Sequence, residues 1–532
     1  MKRRALLLLP LIAITPSRAW SDTPSPSPSE PPFTDTSALA PPSLPPLPST
    51  VAGPTLDAFS YVHPQEKQYL RAVLEVSTVL IVGNVDYLQN TGARGGTVRA
   101  GDQRWDLRYD WPDFHDKLSG DLWKVDTNHF NTNYISHPFA GTMYYTAARA
   151  NHLSIIESWS YTTVGALSWE MFGELREEVS INDVIVTSTA GLTIGEPLMQ
   201  LSSFFYRSKK RLRNDIFAAV FSPAKAINDF ADGAEHARSV NLDENGFTKD
   251  EWHGFQVFAG GGATRQPSGT YVDERFGVDL QLENLPGYHE PGHRTSVFDD
   301  GNVSGVHFES ALSRGKLVDA AFKTRLVPIG VYTRDGADGA MVGWLTSFEY
   351  SVHDYDRDRA RALDLLTVLS PIGMVAEYAH TGSKLRARSR VELSGEFAGV
   401  TAYALHDYRV RHGYDDTNLQ TVLKQEGYYH SLGVTAATSL ELGMGPFDAG
   451  GRITYDTWRG ISGFDERQET ITSEIPLADR RLDMRAWVGA RIPSTSIRVE
   501  VLGRQRFRGG DVGDARASTG ETSLFGTAGV LF

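Results

Sequence analysis

Between residues 130 and 200, charged and imidazole side chains stand among small and apolar residues that have the spacing of helices. The side chains that could do chemistry are His137, Arg149, Glu170, Glu174, Asp183 and Glu196. Glu170 and Glu174 are four residues apart, so a helix would place both carboxylates on one face, where they repel. A metal ion bound together with His137, or the guanidinium of Arg149, would relieve that repulsion. The arrangement could carry out acid–base or metal-assisted chemistry; a solvated helix face and buried structural ion pairs are the alternatives.

The enzyme interpretation receives no support from motifs. The spacings HExxH, GxSxG and the P-loop do not occur in this region of the sequence, and Ser158 has no nucleophile motif around it. The sequence names no cofactor, and we assign no metal ligands. We therefore favour a protein that is not an enzyme. The alternative is a membrane-embedded enzyme that acts on lipid or a cell-wall precursor through this His/Glu/Arg cluster.

Length, charge and cysteine content limit the classes of protein. The chain has 532 residues, a net charge of −13 at pH 7 and no cysteine. This length accommodates about two to four domains, or one large β-barrel with an appendage. The negative charge argues against a nucleic-acid partner, because no basic field is available to neutralise phosphates. The absence of cysteine excludes disulfides, thiolate metal sites and N-terminal lipoprotein acylation.

The N-terminus has the pattern of an exported protein. A basic start is followed by an apolar core at residues 5–14 and by the small-x-small site Ser17-Arg18-Ala19, which predicts a signal peptide over residues 1–19. An uncleaved membrane anchor is the alternative, although the apolar run is shorter than the roughly 20 residues that span a bilayer. Residues 20–55 are rich in proline and serine, which predicts a disordered linker.

The next region has helical spacing. We predict an α-helical domain over residues 56–215, in which small residues let helices approach closely, and a connecting segment over residues 216–251. Ser136 is expected to cap a helix whose first turn contains Pro138. Ser180 and Asp183 have the spacing of a capping box. Pro197 is expected in the first turn of a separate helix.

The same region carries a series of short motifs in a fixed order. They are Asp126-Thr-Asn-His-Phe-Asn-Thr-Asn133, His137-Pro138, Gly141, Tyr144-Tyr145, Ala148-Arg149, Ser158, Trp169-Glu170, Glu174, Ser180-Ile-Asn-Asp183, Thr187 and Gly195-Glu196. Over residues 105–210, about a fifth of the chain, this series resembles the bacterial domain-of-unknown-function family 3943. The resemblance implies a helical domain of the Gram-negative envelope. It lends no catalytic residue, but it adds Asn133 to the polar positions that merit testing.

After residue 250 the pattern changes to an alternation of apolar and polar residues. The clearest case is residues 482–492, in which Leu482, Met484 and Val488 share a face opposite Asp483 and Arg485. Strands of about 9–11 residues with one apolar face are typical of transmembrane barrels. We predict about 12 strands over residues 252–532, within a range of roughly 10 to 14. A soluble β-sandwich or soluble barrel is the alternative.

The polar face of the last strands is rich in arginine. The candidate binding residues on this face are Arg485, Arg491, Arg498 and Arg504. In a lumen they could form a charge ladder or a selective constriction. We favour ion-pair networks with Asp483 and Glu500 that fill the interior.

Together these features predict an α+β protein, with an N-terminal α-helical domain followed by a C-terminal antiparallel transmembrane β-barrel. We expect it in the outer membrane of a Gram-negative cell, with a role in transport or envelope integrity and with the helical domain on the periplasmic side. That domain is expected to be a plug, a gate or an accessory beside the barrel. The expected partners are outer-membrane lipid and, through the terminal Phe532, the barrel-assembly machinery, and nucleic acid is not expected.

Overall fold

The computed structural model of the protein describes most of the chain from residue 61 onward. The described residues are 61–89, 115, 117–120, 123–174, 179–285, 287–288, 290–357, 363–461 and 475–532. The predicted signal peptide (residues 1–19) and linker (residues 20–55) lie outside them. Mixed α and β structure is confirmed, with helices in the N-terminal half and strands in the C-terminal half.

The helical region precedes the first long strand. Its helices are α1 (Tyr69–Gln89), α2 (His137–Ala150), α3 (Ile155–Ser168), α4 (Ile181–Arg207), α5 (Leu212–Phe221) and α6 (Pro223–Asp232). One π-helical turn, Thr132–Ser136, leads into α2, and another, Trp169–Gly173, follows α3. Two short parallel strands pair beside them, β1 (Trp123–Lys124) and β2 (Val179–Ser180). None of the helices in the described part of the chain is long and apolar enough to cross a membrane.

The C-terminal half is built from long strands. They are β3 (Trp252–Gln266), β4 (Gly269–Glu283), β5 (Gly292–Phe298), β6 (Val303–Ser313), β7 (Lys316–Val327), β8 (Gly330–Gly336), β9 (Asp338–His353), β10 (Asp364–Thr381), β11 (Arg386–Thr401), β12 (Tyr428–Met444), β13 (Phe447–Gly460), β14 (Leu477–Arg491), β15 (Ile497–Val512) and β16 (Ala515–Leu531). Two helices, α7 (Leu405–Arg411) and α8 (Thr421–Glu426), interrupt the series between β11 and β12.

Within the described residues, twelve antiparallel strands close into a barrel, as the sequence predicts. Each of β3, β4, β6, β7 and β9–β16 pairs with two neighbours, and the pairing of β9 with β10 closes the ring. The remaining strands, β5 and β8, extend the sheet from the N-terminal half of β9. Closure leaves none of the twelve strands with an unpaired edge.

Alternation along each strand separates the two faces of the wall. Exposed apolar side chains on the outside include Val257, Val272, Ile372, Met374, Val391, Leu393, Leu432, Val434, Val488, Val501 and Leu524. The alternate positions carry the charged residues that ion-pair across the lumen. An apolar outer wall around a polar interior is the arrangement of a transmembrane barrel.

The helical region packs on the outside of this wall. Along α4, Val186, Ala190 and Ile194 contact one end of a row of outward-facing residues, and Leu201 and Phe204 contact the other end. The row consists of directly paired residues on seven neighbouring strands: Phe255, Leu280, Val306, Thr324, Phe348, Leu369 and Phe397.

The dimensions of the helix and the row agree. Seven strands about 4.8 Å apart span about 29 Å, and the part of α4 from Val186 to Phe204 is about 27 Å long. The part of α4 from Val186 to Phe204 therefore runs along this row, across the strands. A plug inside the lumen is the wrong expectation for this domain. Its apolar helix face matches the apolar outer wall, whereas the lumen is lined with charges.

Close helix packing holds the domain together. A Cβ atom at Gly141 of α2 would lie 1.9 Å from the backbone oxygen of Thr187, and one at Gly191 would lie 2.8 Å from the backbone oxygen of Gly141. Two glycines that face each other thus let α2 and α4 approach to backbone contact, as the small residues predict.

Three local expectations about helix ends are wrong. Pro197 lies inside α4, not at the start of a new helix, because packing on both sides of the helix outweighs the hydrogen bond that proline cannot donate. Ser136 makes no cap hydrogen bond, since the π-helical turn continues directly into α2. Ser180 forms no capping box either, because its backbone N–H donates to Glu170. The capping box that does form, Ser154 with Glu157, starts α3.

Candidate functional site

The predicted cluster of polar residues divides into two separate groups. His137 and Arg149 mark the two ends of α2, and twelve residues of helix put about 18 Å between them. His137 lies with Asp183, and Arg149 lies with Glu196. His137 and Arg149 therefore do not belong to one cluster.

The first group, which we call the Asp126 network, joins the helices to the barrel. Asn133 donates to the Asp126 carboxylate (2.6 Å) and to the Tyr428 hydroxyl (3.0 Å) on β12. Asn182 donates both to Asp126 (3.0 Å) and to Asp183 (2.8 Å). All five side chains are buried. Mutual hydrogen bonds satisfy polar atoms that water cannot reach.

The His137–Asp183 pair at the edge of this network is not a charged ion pair. The two side chains approach to 3.3 Å. Burial lowers the pKa of His137 to about 4. Burial, together with the nearby carboxylates of Asp126 and Glu170, raises the pKa of Asp183 well above its usual range. At neutral pH the imidazole is therefore neutral, and burial favours the protonated form of the Asp183 carboxyl group.

The Lys117 side chain links the backbone of the two glutamates. The Lys117 ammonium donates to the backbone oxygens of Glu170 (2.8 Å) and Glu174 (2.6 Å). The Glu170 carboxylate accepts from the N–H of Ser180, and that of Glu174 accepts from the indole N–H of Trp169. The π-helical turn directs the two carboxylates to different partners, which removes the repulsion expected on a regular helix.

The second group, the Arg149–Glu196 pair, ties the helices to a loop of the barrel. Arg149 donates to both oxygens of Glu196 (2.9 and 3.2 Å) and to Asp300 (2.6 Å), which lies between β5 and β6. Tyr145 and Gln200 also donate to the Glu196 carboxylate. The Arg149 side chain is 4% exposed and that of Glu196 is 0% exposed. A charge pair with this many hydrogen bonds is a buried structural anchor.

In the described part of the chain, no group of three or more His, Asp or Glu side chains is placed to hold a metal ion. Sequence reasoning missed Lys117, Asp126 and Asp300 as partners. The motif around Asn133 includes Asp126, so that residue could have been found. Asp300 follows a different strand and carries no local signal.

The lumen is bridged by arginine–carboxylate pairs. Arg485 and Arg504 both reach Glu309 (3.0 and 3.1 Å), and Arg504 also pairs with Asp483 (2.5 Å). Glu309 on β6 lies five strands around the barrel from Arg485 on β14, so this contact crosses the lumen.

Other arginine–carboxylate pairs cross the lumen at other heights along the barrel. Arg481 reaches Glu349 (2.7 Å), and Arg508 reaches both Asp364 (3.0 Å) and Asp479 (2.5 Å). Both arginines come from the β14–β15 side of the wall, whereas Glu349 and Asp364 lie on β9 and β10, opposite.

The two other candidate arginines lie nearer the end of the barrel that carries Phe532. Arg498 pairs with Asp448 (2.5 Å) and Glu500 (2.6 Å). Arg491 is exposed at the end of β14, and its backbone N–H donates to Pro446. Of the four, only Arg485 and Arg504 thus belong to the pairs that cross the lumen.

The segment between β11 and β12 covers one mouth of the barrel. Leu405, Tyr408 and Leu423 of this segment are buried against the inward-facing Trp458 and Val512. A cavity of about 410 Å³ remains in the lumen, lined by both acidic and basic residues, among them Glu349, Arg481 and Arg485 of the cross-lumen pairs. Its lining includes Gln256, His307, Arg325, Glu392, Trp487 and Glu500.

Comparison with solved structures finds bacterial outer-membrane proteins at low similarity. The loop L8 deletion mutant of OmpT, an outer membrane protein of Vibrio cholerae, is 8% identical with a TM-score of 0.20, over 53% of this chain and 100% of that one. An anion-selective porin from Comamonas acidovorans is 6% identical with a TM-score of 0.19, over 53% and 100%. OccAB1 of Acinetobacter baumannii is 10% identical with a TM-score of 0.15, over 56% and 100%. Scores this low carry no information about a pore or a ligand.

No curated protein matches the chain. A family model does match the helical region: that of the family described as Domain of unknown function (DUF3943), over residues 122–224. The resemblance to domain-of-unknown-function family 3943 is confirmed over these residues.

Proposed function

We propose that this protein is an outer-membrane barrel of a Gram-negative envelope that forms no open diffusion pore and contributes to envelope integrity. The observation that carries the proposal is the set of arginine–carboxylate contacts between opposite walls, such as Arg481 with Glu349 and Arg485 with Glu309. Each contact places two large side chains across the path that a solute would follow. The covered mouth adds a second obstruction.

Loop lengths support an orientation in the membrane. The longest connection between neighbouring barrel strands, residues 402–427, lies at the end of the barrel opposite Phe532, as does the connection 461–476, whereas the connection 284–302, which contains β5, lies at the same end as Phe532. Outer-membrane barrels have short periplasmic turns and longer extracellular loops. We place the covered mouth on the cell surface and the end that carries β3 and Phe532 in the periplasm.

The edges of the apolar outer wall agree with membrane insertion. The outward-facing residues Arg265, Arg459 and Arg480 are exposed near the long loops. Tyr378 and Phe447 are exposed near the opposite end. Charged and aromatic residues at the two borders of an apolar band are typical of proteins in a bilayer.

The helical domain acts in this proposal as an accessory to the wall. It lies within the apolar band along α4 and is fixed there by the Asp126 network and by the contact of Arg149 with Asp300. The enzyme alternative would need His137 and Arg149 in one site, but they lie about 18 Å apart. Recognition of Phe532 by the barrel-assembly machinery stays a prediction.

Planar-bilayer conductance tests the proposal. We expect the refolded full-length protein to insert without conducting. A variant that lacks residues 404–426 and carries Arg481→Ser, Glu349→Ser, Arg485→Ser and Glu309→Ser should show discrete current steps, because it loses the covering segment and two of the contacts between opposite walls. The variant Arg459→Ser, on the outer wall, is the matched control and should stay silent. Stable open steps from the unmodified protein would overturn the proposal.

A further inference from the structure

The hairpin formed by α5 and α6 has an inverted distribution of polar and apolar side chains. Its exposed side chains include six large apolar residues beside Arg213 and Asp232. The six are Leu212, Ile216, Phe217, Val220, Ile227 and Phe230, and Phe230 is 90% exposed. Its buried side chains include Lys225 and Asp229, which form an ion pair at 2.6 Å. A surface that faces water has the opposite arrangement. Such a cluster of exposed apolar residues marks a contact with a membrane or a partner.

A run of cations begins this hairpin. Lys209, Lys210, Arg211 and Arg213 are exposed, and none of them has a carboxylate within 4.0 Å among the described residues. The guanidinium groups of Arg211 and Arg213 are held by the backbone oxygen of Asn245 (3.2 and 3.0 Å).

The acidic residues close to this run are largely engaged elsewhere. Asp215 pairs with Arg238 (2.9 Å), and Asp243 faces His253 (3.7 Å). The side chain of Glu244 is exposed in the neighbouring loop. The four cations therefore form a patch of positive charge in a protein that is acidic overall.

The hairpin lies beside the apolar outer wall at the end of the barrel that carries Phe532. The ring of Phe205 on α4 lies 5.2 Å from that of Phe217 and 6.0 Å from that of Phe255. Phe255 faces outward on β3, two residues before Val257, which is exposed on the same face of the wall. The apolar face of the hairpin thus continues the surface that the barrel presents to lipid.

We propose that the α5–α6 hairpin inserts its apolar face into the phospholipid leaflet at the end of the barrel that carries Phe532. The cations of residues 209–213 then bind the lipid phosphates. This proposal rests on the membrane placement under the proposed function. A phospholipid satisfies both halves of the surface, because it offers acyl chains beside an anionic headgroup. Continuity with the outer wall selects lipid over a second copy of the chain.

The absence of native cysteine allows a direct test with single labels. Val220→Cys and Phe230→Cys in the hairpin would each carry an environment-sensitive fluorophore in the full-length protein, refolded into vesicles of phosphatidylethanolamine and phosphatidylglycerol. Val501→Cys on the outer wall is the control for hydrocarbon, and Glu244→Cys is the control for water. Phospholipids brominated on the acyl chain serve as the quencher.

We expect the acyl-chain quencher to reduce the signal from the hairpin labels as strongly as that from residue 501, and to leave that from residue 244 unchanged. If residue 501 is quenched and the hairpin labels respond like residue 244, the proposal is overturned and the proposed function stands. If residue 501 is not quenched in a refolded barrel, the membrane placement itself fails, and both proposals fall with it.

A second measurement addresses the cations. The Val220→Cys label would be quenched by phosphatidylglycerol or by phosphatidylcholine that carries a nitroxide on its headgroup. We expect a preference for the anionic lipid on the order of fivefold, the effect of one cation near an anionic surface. The preference should disappear when Lys209, Lys210, Arg211 and Arg213 are all replaced by Gln. An equal response to both lipids in the unmodified chain would contradict the assignment of the cations to lipid phosphate.

Discussion

Replacing Arg149 with Met should detach the helical domain from the barrel wall. In the folded protein Arg149 donates hydrogen bonds to Glu196, to Asp300 and to the backbone oxygen of Leu153. Methionine keeps much of the side-chain volume but none of the donors. Glu196, which is 0% exposed, would then be a buried carboxylate with no cation.

The size of the effect follows from this burial. Breaking a buried pair by removing one partner costs about 3–5 kcal/mol, because the other charge stays buried without compensation. The double variant Arg149→Met and Glu196→Met removes both charges, and its cost should be clearly smaller. Asp300 contributes less to the difference, since its side chain is 36% exposed and regains water.

Thiol labelling of a single buried cysteine measures this difference. Ala190→Cys places the thiol on the buried contact of α4 with the wall, where a reagent reaches it only when the domain opens. A loss of 3–5 kcal/mol should speed labelling by about two hundred- to several thousand-fold, and the double variant should recover most of that factor. If Arg149→Met labels within about threefold of the parent, the pair does not anchor the domain and our reasoning is refuted.

Two further predictions concern the same domain. Gly141→Ala should destabilise the domain by more than about 2 kcal/mol, because the added methyl group would meet the backbone oxygen of Thr187 at 1.9 Å. Gly165→Ala is the matched control in the same labelling assay, since a Cβ atom there would meet only side-chain atoms, at 3.2 Å or more. Acid should also open the domain. The pKa of His137 is about 4 in the folded protein and about 6.5 in the unfolded chain. Between these two pH values the unfolded chain binds more protons, so stability is lost as the pH falls. Between pH 7 and 5 the loss of stability is about 2 kcal/mol, and it should be absent in His137→Gln. The raised pKa of Asp183 acts in the opposite direction, but it is present in both proteins. An equal pH dependence of the unmodified protein and His137→Gln would contradict the assignment of this loss to His137.

The barrel could be predicted from sequence because each strand has two different environments. Lipid on one side and charged partners on the other impose a period of two, as at Leu482 and Asp483. The count of about 12 strands followed from these repeats. The residues that close the lumen could not be paired in this way, since Glu309 and Arg485 lie 176 positions apart, and only the strand order brings them together.

The helical domain shows where local patterns fail. Pro197 has the local pattern of a helix start, yet tertiary packing continues α4 through it. Glu170 and Glu174 have the spacing of one helix face, but a π-helical turn redirects them. Nothing in the spacing of α4 distinguishes the outer wall from the lumen as its contact surface. That distinction depends on which face of each strand is apolar.

Cross-linking in intact outer membranes tests most directly the central claim that the helical domain lies on the outside of a closed barrel. A Cβ atom at Gly399, which faces outward on β11, would lie 2.1 Å from the ring of Tyr134. We predict that Tyr134→Cys and Gly399→Cys are joined by a short thiol cross-linker, whereas Tyr134→Cys and the inward-facing Ala398→Cys are not. Efficient linkage of the second pair without the first would place the domain in the lumen and contradict the account.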